Sequence, residues 1–177
     1  MTTTPTTPAS DRPHREIPAE SSGRDLLRHT LATLAYRAAK AVRGAPADFA
    51  AFRITPGSRT PGEILAHMCD LLDWAGWLAR GEHRWADSKP ADWNEDVARF
   101  FSALQQLEDY VASGAPLYRP AEQLFQGPIA DALTHVGQLA LLRRAAGSPI
   151  RGESYARAEI VRGRVGVDQA VPRAEFD

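Results

Sequence analysis

The sequence predicts an all-α protein, a four-helix bundle, from three observations. Apolar residues recur at three- and four-residue steps in four separate segments, the period of a helix with one buried face. Glycine, followed in places by proline, ends each of these segments. No segment before Pro149 shows the alternation of apolar and polar residues that is typical of a strand. Four amphipathic helices joined by moderate connections favour a bundle.

The first two helices are defined by their ends as well as by their periodicity. The first is predicted over 24–43 and ends at Gly44. Its apolar stripe consists of Leu27, Leu31, Leu34, Ala38 and Ala41. The second begins at Thr60-Pro61-Gly62-Glu63, where an N-cap Thr, a Pro at the first helical position and a Glu at the third predict a capping box. Gly81 ends this second helix.

The third and fourth helices are predicted from the same apolar periodicity and from glycines at their ends. A third helix is predicted over 91–113 and is closed by Gly114. A short turn or helix over 120–126 leads to Gly127-Pro128, and a fourth helix is expected over 128–146. Gly147-Ser148-Pro149 ends it, so 24–147 is expected to form the bundle.

Both ends of the chain lie outside this bundle. Residues 1–23 contain four prolines among Thr, Ser and charged residues, and we expect a flexible arm there. Residues 148–177 fit neither period, and we expect an irregular extension packed on the bundle. Its anchors would be Tyr155, Ile160, Val165 and Phe176, and its arginines Arg151, Arg157, Arg162 and Arg164 could face an anionic substrate. This strap would either wall the site described below or form part of a homodimer contact.

Composition excludes several classes of protein. The chain has 177 residues and a net charge of −1, which argues against binding to nucleic acid or to anionic membranes. No apolar run approaches the roughly 20 residues of a membrane span, and no signal peptide is visible. Cys69 is the single cysteine, which excludes an internal disulfide framework. We therefore expect a cytoplasmic protein.

Among the five histidines, His67 is placed differently from the rest. His14 and His29 are expected to be solvated, and His83 is either a loop residue or the edge of a site. His67 shares a helical face with apolar residues of the second helix, which points its imidazole into the bundle. It is either a core histidine satisfied by one hydrogen bond or a ligand.

The fourth helix supplies two partners for His67. Asp131 and His135 are four residues apart, so they lie on one face, which Leu139 and Leu142 continue toward the core. A carboxylate facing the core needs a cation, a metal or hydrogen bonds to offset its desolvation. Two imidazoles and a carboxylate suit zinc, nickel or ferrous iron, with positions left open for water or substrate. The alternative is an Asp131–His135 hydrogen-bonded pair without a metal.

Other polar and aromatic residues carry weaker indications. Gln138 could orient a ligand or substrate from the adjacent ridge, or it is a plain surface amide. Cys69 is expected to be a small buried side chain rather than a nucleophile. The four tryptophans are interpreted as core and rim packing, and Arg143-Arg144 as complementing the dipole of the fourth helix.

Two segments resemble the DinB/YfiT-like superfamily of metal-binding helical bundles. The first is Thr60-Pro-Gly-Glu-Ile-Leu-Ala-His67. The second is Asp131-Ala-Leu-Thr-His135-Val-Gly-Gln138-Leu-Ala-Leu-Leu-Arg-Arg-Ala-Ala-Gly147. The resemblance covers about 26–147 and implies that His67, Asp131 and His135 bind one divalent ion, zinc or nickel. Asp131 stands where many members carry His. Members related to mycothiol-dependent maleylpyruvate isomerase carry an acid there.

The resemblance implies a function as well as a fold. We expect a metal-dependent enzyme, a thiol transferase or a hydrolase, that activates a low-molecular-weight thiol or a water for reaction with a small substrate. The alternative is a non-catalytic metal-binding or stress-response bundle that acts as a dimeric interaction module. A homodimer is the expected assembly.

Overall fold

The computed structural model describes residues 19–176, with side chains described from Gly23 onward. Within this range the protein is mostly helical, which confirms the all-α prediction. The long helices are α1 (Ala19–Val42), α2 (Pro61–Ala79), α3 (Trp93–Ala112) and α5 (Ala130–Ala145), and α4 (Ala121–Leu124) is a single turn. A short 3-10 helix at Phe49–Ala51 precedes α2. None of these helices is long and apolar enough to cross a membrane.

The four long helices enclose one apolar core. Helices α1 and α2 each pack against both α3 and α5. Helices α1 and α2 therefore lie diagonally opposite each other in the bundle. The largest fully buried side chains come from every long helix and include Leu31, Leu34, Leu65, Met68, Leu72, Phe100, Leu104, Leu107 and Leu139. The protein therefore has a continuous hydrophobic centre that holds the helices in place.

Helix α2 begins as its sequence predicts. Thr60 Oγ1 accepts a hydrogen bond from the Glu63 backbone N–H (3.1 Å), and Glu63 Oε2 accepts one from the Thr60 N–H (2.7 Å). This reciprocal pair is the predicted capping box, with Pro61 at the first helical position. After the helix, Gly81 adopts a φ of +87°, which other residues rarely reach. Both ends of α2 are thus fixed, and so is the position of His67 on its second turn.

Two predicted boundaries differ from the structure. Helix α1 begins at Ala19 rather than near Arg24, so the last residues of the predicted arm 1–23 are helical, while 1–18 lie outside the described residues. Gly23 lies inside this helix, where one glycine costs about 1 kcal/mol relative to alanine. Gly127-Pro128 does not separate two helices: a π-helical segment at Phe125–Ile129 connects α4 to α5. The wider π turn accommodates Pro128, which has no N–H to donate.

Arg143 ties the end of α1 to α5. Its guanidinium donates to the backbone oxygens of Ala41 (3.1 Å), Arg43 (2.9 Å) and Gly44 (3.1 Å), and also to Ser148. The side chain is buried, and burial lowers its pKa. The prediction for Arg143 named only the dipole of its own helix. In the structure Arg143 also donates hydrogen bonds to the unpaired carbonyls at the end of α1.

The C-terminal segment lies against α1. Strand β1 (Gly152–Glu153) pairs antiparallel with β2 (Glu175–Phe176), which closes residues 152–176 into a loop. Val165 is fully buried in the core, and Tyr155 packs edge-on against Tyr36.

One expectation for this segment is wrong. Phe176 is exposed, and its ring lies over Gly152 of the same segment rather than in the core. Arg162 pairs with Asp25 of α1, and Arg164 pairs with Glu159, while a role of these arginines toward a substrate stays a prediction. Hydrogen bonds join the segment to Tyr36 and Lys40 of α1 and to Arg143 of α5. Its role as a wall of the site or as a dimer contact stays a prediction.

Candidate metal centre

The packing of α2 against α5 brings His67, Asp131 and His135 together. His67 lies on the second turn of α2, and Asp131 and His135 lie on the first two turns of α5. Each side chain offers one ligand atom, and these three atoms all lie within 4.8 Å of one another. The three residues singled out from the sequence therefore form one cluster in space.

The distances within the cluster are too long for good hydrogen bonds. Asp131 Oδ2 lies 3.6 Å from His67 Nε2, and Asp131 Oδ1 lies 3.4 Å from His135 Nε2. Ordinary N–H···O hydrogen bonds span about 2.7–3.2 Å. The two imidazole rings stand nearly perpendicular, with centroids 5.0 Å apart. The carboxylate thus faces both imidazoles without the close contact of a metal-free Asp–His pair.

Burial of the three side chains differs from the expectation. The His135 residue is buried, and the His67 side chain is 23% exposed, but the Asp131 side chain is 48% exposed. The prediction that all three groups face the core is wrong for Asp131, because its position on the first turn of α5 lies at the rim of the bundle. Solvent therefore reaches the cluster from the Asp131 side. An exogenous ligand could approach by the same route.

Gln138 orients one of the imidazoles. His135 Nδ1 lies 2.9 Å from Gln138 Oε1, which can only accept a hydrogen bond. In this arrangement Nδ1 would carry the proton, which would leave the lone pair of Nε2 directed toward the cluster. Metal-binding histidines are commonly held this way, because a partner on the second nitrogen fixes both tautomer and ring orientation. Of the predicted alternatives, orienting a ligand or substrate or being a plain surface amide, this contact with His135 favours the orientation of a ligand.

The electrostatic surroundings favour a neutral His67. Burial lowers the pKa of His67, and repulsion from His135 and Arg59 lowers it further, while Asp131 acts in the opposite direction. An imidazole must be unprotonated to ligate a metal. The environment therefore keeps His67 in the ligating form at neutral pH.

An aromatic wall stands beside His67. The ring of Trp85 lies 5.7 Å from that of His67, and Trp74 packs against both Trp85 (5.7 Å) and His83 (5.8 Å). The Trp74 indole N–H is buried without a hydrogen-bond partner among the described residues. The sequence alone indicated core and rim packing for the tryptophans. Trp85 lies in an irregular connection, so no periodicity could have placed it here.

A buried ionic cluster fixes the connection between α2 and α3. Asp70 accepts hydrogen bonds from the Ser88 backbone N–H (2.8 Å) and hydroxyl (2.7 Å), and it pairs with Arg99 (2.5 Å). Although burial opposes ionisation, these contacts keep the pKa of Asp70 below its usual value. Sequence analysis missed this anchor. Cys69, its neighbour, is buried as predicted, and burial raises the pKa of its thiol to about 12.

The donor set fits a metal ion. Two imidazole nitrogens and one carboxylate oxygen are ligands that zinc and other divalent transition ions take in proteins, and three protein ligands leave coordination positions for other molecules. His67, Asp131 and His135 could therefore hold one ion. Comparison of the chain with models of protein families, with curated proteins and with solved structures found no match. The resemblance to the DinB/YfiT-like superfamily accordingly stays a prediction from its motifs.

Proposed function

We propose that this chain is a DinB-like divalent-metal-binding protein and a metal-dependent enzyme. It would activate a water molecule or a low-molecular-weight thiol for hydrolysis of, or transfer to, a small substrate. The observation that carries this proposal is the convergence of three ligand atoms, from two helices, within 4.8 Å of one another. The ion we favour is zinc or nickel, because the donor set is rich in imidazole nitrogen.

The residues of the candidate centre would have different roles. His67, His135 and Asp131 would hold the ion, and Gln138 keeps the His135 Nε2 lone pair directed at it. A divalent ion in such a site lowers the pKa of a water or thiol that it coordinates, which supplies a nucleophile at neutral pH. The half-exposed Asp131 leaves a path for a substrate, and Trp85 covers the other side of His67.

A catalytic role is favoured over a structural one by the position of the cluster. The core is filled by leucine and phenylalanine side chains from all four long helices, and the cluster lies at its rim. A structural ion usually substitutes for a missing core, as in small zinc domains. The competing proposal is a non-catalytic metal-binding bundle acting as a dimeric interaction module. Assembly as a homodimer and a cytoplasmic location belong to both proposals.

The metal content of the purified protein tests the proposal that the chain binds a divalent ion. Protein purified without a histidine tag, from cells grown with zinc and nickel, should contain about one divalent ion per chain by elemental analysis. His67→Ala and His135→Ala should each lose the ion, because two remaining ligands hold it poorly. His29→Ala removes an exposed histidine of α1 and should keep it. Full occupancy in His67→Ala protein would contradict the three-ligand site.

An activity assay tests the proposal that the bound ion is catalytic. Metal-loaded protein should hydrolyse 4-nitrophenyl acetate, or couple the sulfur of cysteine to chlorodinitrobenzene with release of chloride and a proton, faster than metal-free protein does. His135→Ala should remove the acceleration, and His29→Ala should preserve it. One bound ion without acceleration of either reaction would favour the non-catalytic bundle.

A further inference from the structure

A polar cleft opens beside His67. It has a volume of about 370 Å³ and lies between the connection before α2 and the connection that Asp70 anchors. Arg53, Arg59 and Lys89 line it, together with Glu63, Asp70 and Asp87, and His67 forms part of its wall. Because His67 also belongs to the candidate centre, a molecule in the cleft would lie next to the three ligands.

Two of the acidic groups in the cleft are already neutralised. Glu63 pairs with Arg53 (2.9 Å) while it caps α2. Asp70 is held by Arg99 and by two hydrogen bonds from Ser88, so its side chain is satisfied inside the protein. Arg53 offsets the charge of Glu63, and Arg99 offsets that of Asp70 while it also pairs with Asp73, which lies outside the cleft.

The cations without a partner outnumber the remaining acid. Arg59 and Lys89 are exposed and make no ion pair with any residue in the range 19–176. Asp87 is the opposing acid, and it likewise has no ion pair within that range. Counted over the whole lining, three cations and three acids balance, but the guanidinium of Arg59 and the ammonium of Lys89 stay available to an oxyanion because no described side chain pairs with them. Arg59 lies close enough to act electrostatically on His67.

We propose that this cleft binds an anionic group of the substrate, a carboxylate or a phosphate. The inference rests on the proposed function, since it places the reacting part of the same small molecule at His67, Asp131 and His135. Arginine presents a planar fork and lysine a compact charge, and both bind such oxyanions through charge-assisted hydrogen bonds. The volume is at the lower end of ordinary ligand sites, about 300–1,000 Å³, which suits one end of a small metabolite.

The test uses two anions as probes and NMR as the readout. Phosphate and malonate are titrated into the full-length protein while the backbone amides of Ser58, Ser88 and Lys89 are followed. Arg59→Gln/Lys89→Gln removes the two unpaired charges of the cleft. Arg119→Gln/Arg144→Gln removes two exposed charges elsewhere and so matches the change in net charge. Malonamide is the neutral control ligand.

The wild-type amides should shift saturably with at least one anion and stay unmoved by malonamide. The cleft variant should weaken that binding by about tenfold or more, since it removes both charged hydrogen-bond donors that face the anion. The matched control should change it by less than about twofold. Shifts scattered over the whole cationic surface, or equal weakening in both double variants, would overturn the proposal. Preference for phosphate or for malonate identifies the oxyanion.

A further variant separates this inference from the metal-centre proposal. His135→Ala removes a ligand of the centre but lies outside the cleft. Anion binding should persist in it, within about twofold, even if it holds no ion. Loss of anion binding in this variant would show that the anion is held by the centre and would overturn the separate subsite. Absence of metal in the wild type, with anion binding intact, would count against the proposed function alone.

Discussion

Two polar clusters in this bundle each join carboxylates to basic side chains, but with different geometry. At the C-terminal segment, Lys40 pairs with Glu153 (2.8 Å) and Glu175 (2.7 Å), and Tyr36 donates to Glu153 (2.7 Å). In the candidate metal centre the shortest contacts of the Asp131 carboxylate with the two imidazoles are 3.4 and 3.6 Å. The first cluster satisfies its own groups, and the second leaves its ligand atoms available.

Burial separates the two clusters in the same way. The Glu153 side chain is fully buried, while the Asp131 side chain is half-exposed. Glu153 and Glu175 face each other across the β1–β2 pair, where two carboxylates would repel without Lys40 between them. A closed, paired cluster stabilises the fold, whereas an open and incompletely paired one is suited to bind something from outside.

The largest effect should come from breaking the closed cluster. Lys40→Met leaves two carboxylates without their cation, and the free energy of unfolding should fall by about 3 kcal/mol in urea. Lys89→Met, at an exposed lysine, should change it by less than about 0.5 kcal/mol. A loss below about 1 kcal/mol in Lys40→Met would mean that the C-terminal segment is held by packing alone.

The open cluster should respond to metal rather than to the loss of a partner. Zinc at about 100 times its dissociation constant should raise the free energy of unfolding of the metal-free protein by about 2.7 kcal/mol. Removal of the ion by a chelator should leave the protein folded at room temperature, because the core does not depend on the cluster. Circular dichroism and thermal unfolding measure both. Unfolding on chelation would identify a structural ion instead.

Gln138 offers a smaller and more specific test. Gln138→Ala frees His135 Nδ1, so the affinity for zinc should fall by about tenfold, as is typical when the partner of a ligating histidine is lost. Gln138→Glu keeps an acceptor at that position and should retain most of the affinity. Gln106→Ala, an exposed glutamine of α3, is the matched control. Competition with a chromophoric chelator measures all four proteins. Equal affinity in Gln138→Ala and wild type would assign Gln138 a surface role.

The smallest expected effect is a pH dependence of the metal-free protein. Because the pKa of His67 is lowered in the folded state, the unfolded chain takes up this proton at higher pH than the folded chain does. The free energy of unfolding should therefore decrease as pH falls through about 6.5, the ordinary value for histidine. His67→Gln should show a shallower decrease between pH 8 and pH 5 in urea titrations. An equal slope in both proteins would exclude His67 as a source of this dependence.

The residues with strong local patterns could be predicted from the sequence. The capping box at Thr60 and the stop at Gly81 depend on a few neighbouring residues, and α2 has those ends. His67, Asp131 and His135 were found because helical spacing put each on an inward-facing ridge. Helical spacing gives the direction in which a side chain points but not how deeply it lies in the bundle. Asp131 was therefore expected in the core, although it lies at the rim.

Contacts between distant segments could not be predicted in this way. Arg143 reaches carbonyls about one hundred residues away in sequence, and Lys40 meets two glutamates of the C-terminal segment. Neither contact has a periodic or local signal, because each depends on how whole helices pack. The π-helical segment at Phe125–Ile129 is similar: Gly127-Pro128 reads locally as a break, yet the surrounding helix continues through it.

The most direct test of an open metal centre is a crystal structure of the protein grown with zinc. An anomalous difference map should show one strong peak about 2.0–2.2 Å from a nitrogen of His67, from His135 Nε2 and from an oxygen of Asp131. No peak should appear at Glu153 and Glu175, whose oxygens are already engaged by Lys40 and Tyr36. A map without density among the three ligands, or with zinc bound only elsewhere, would contradict the account.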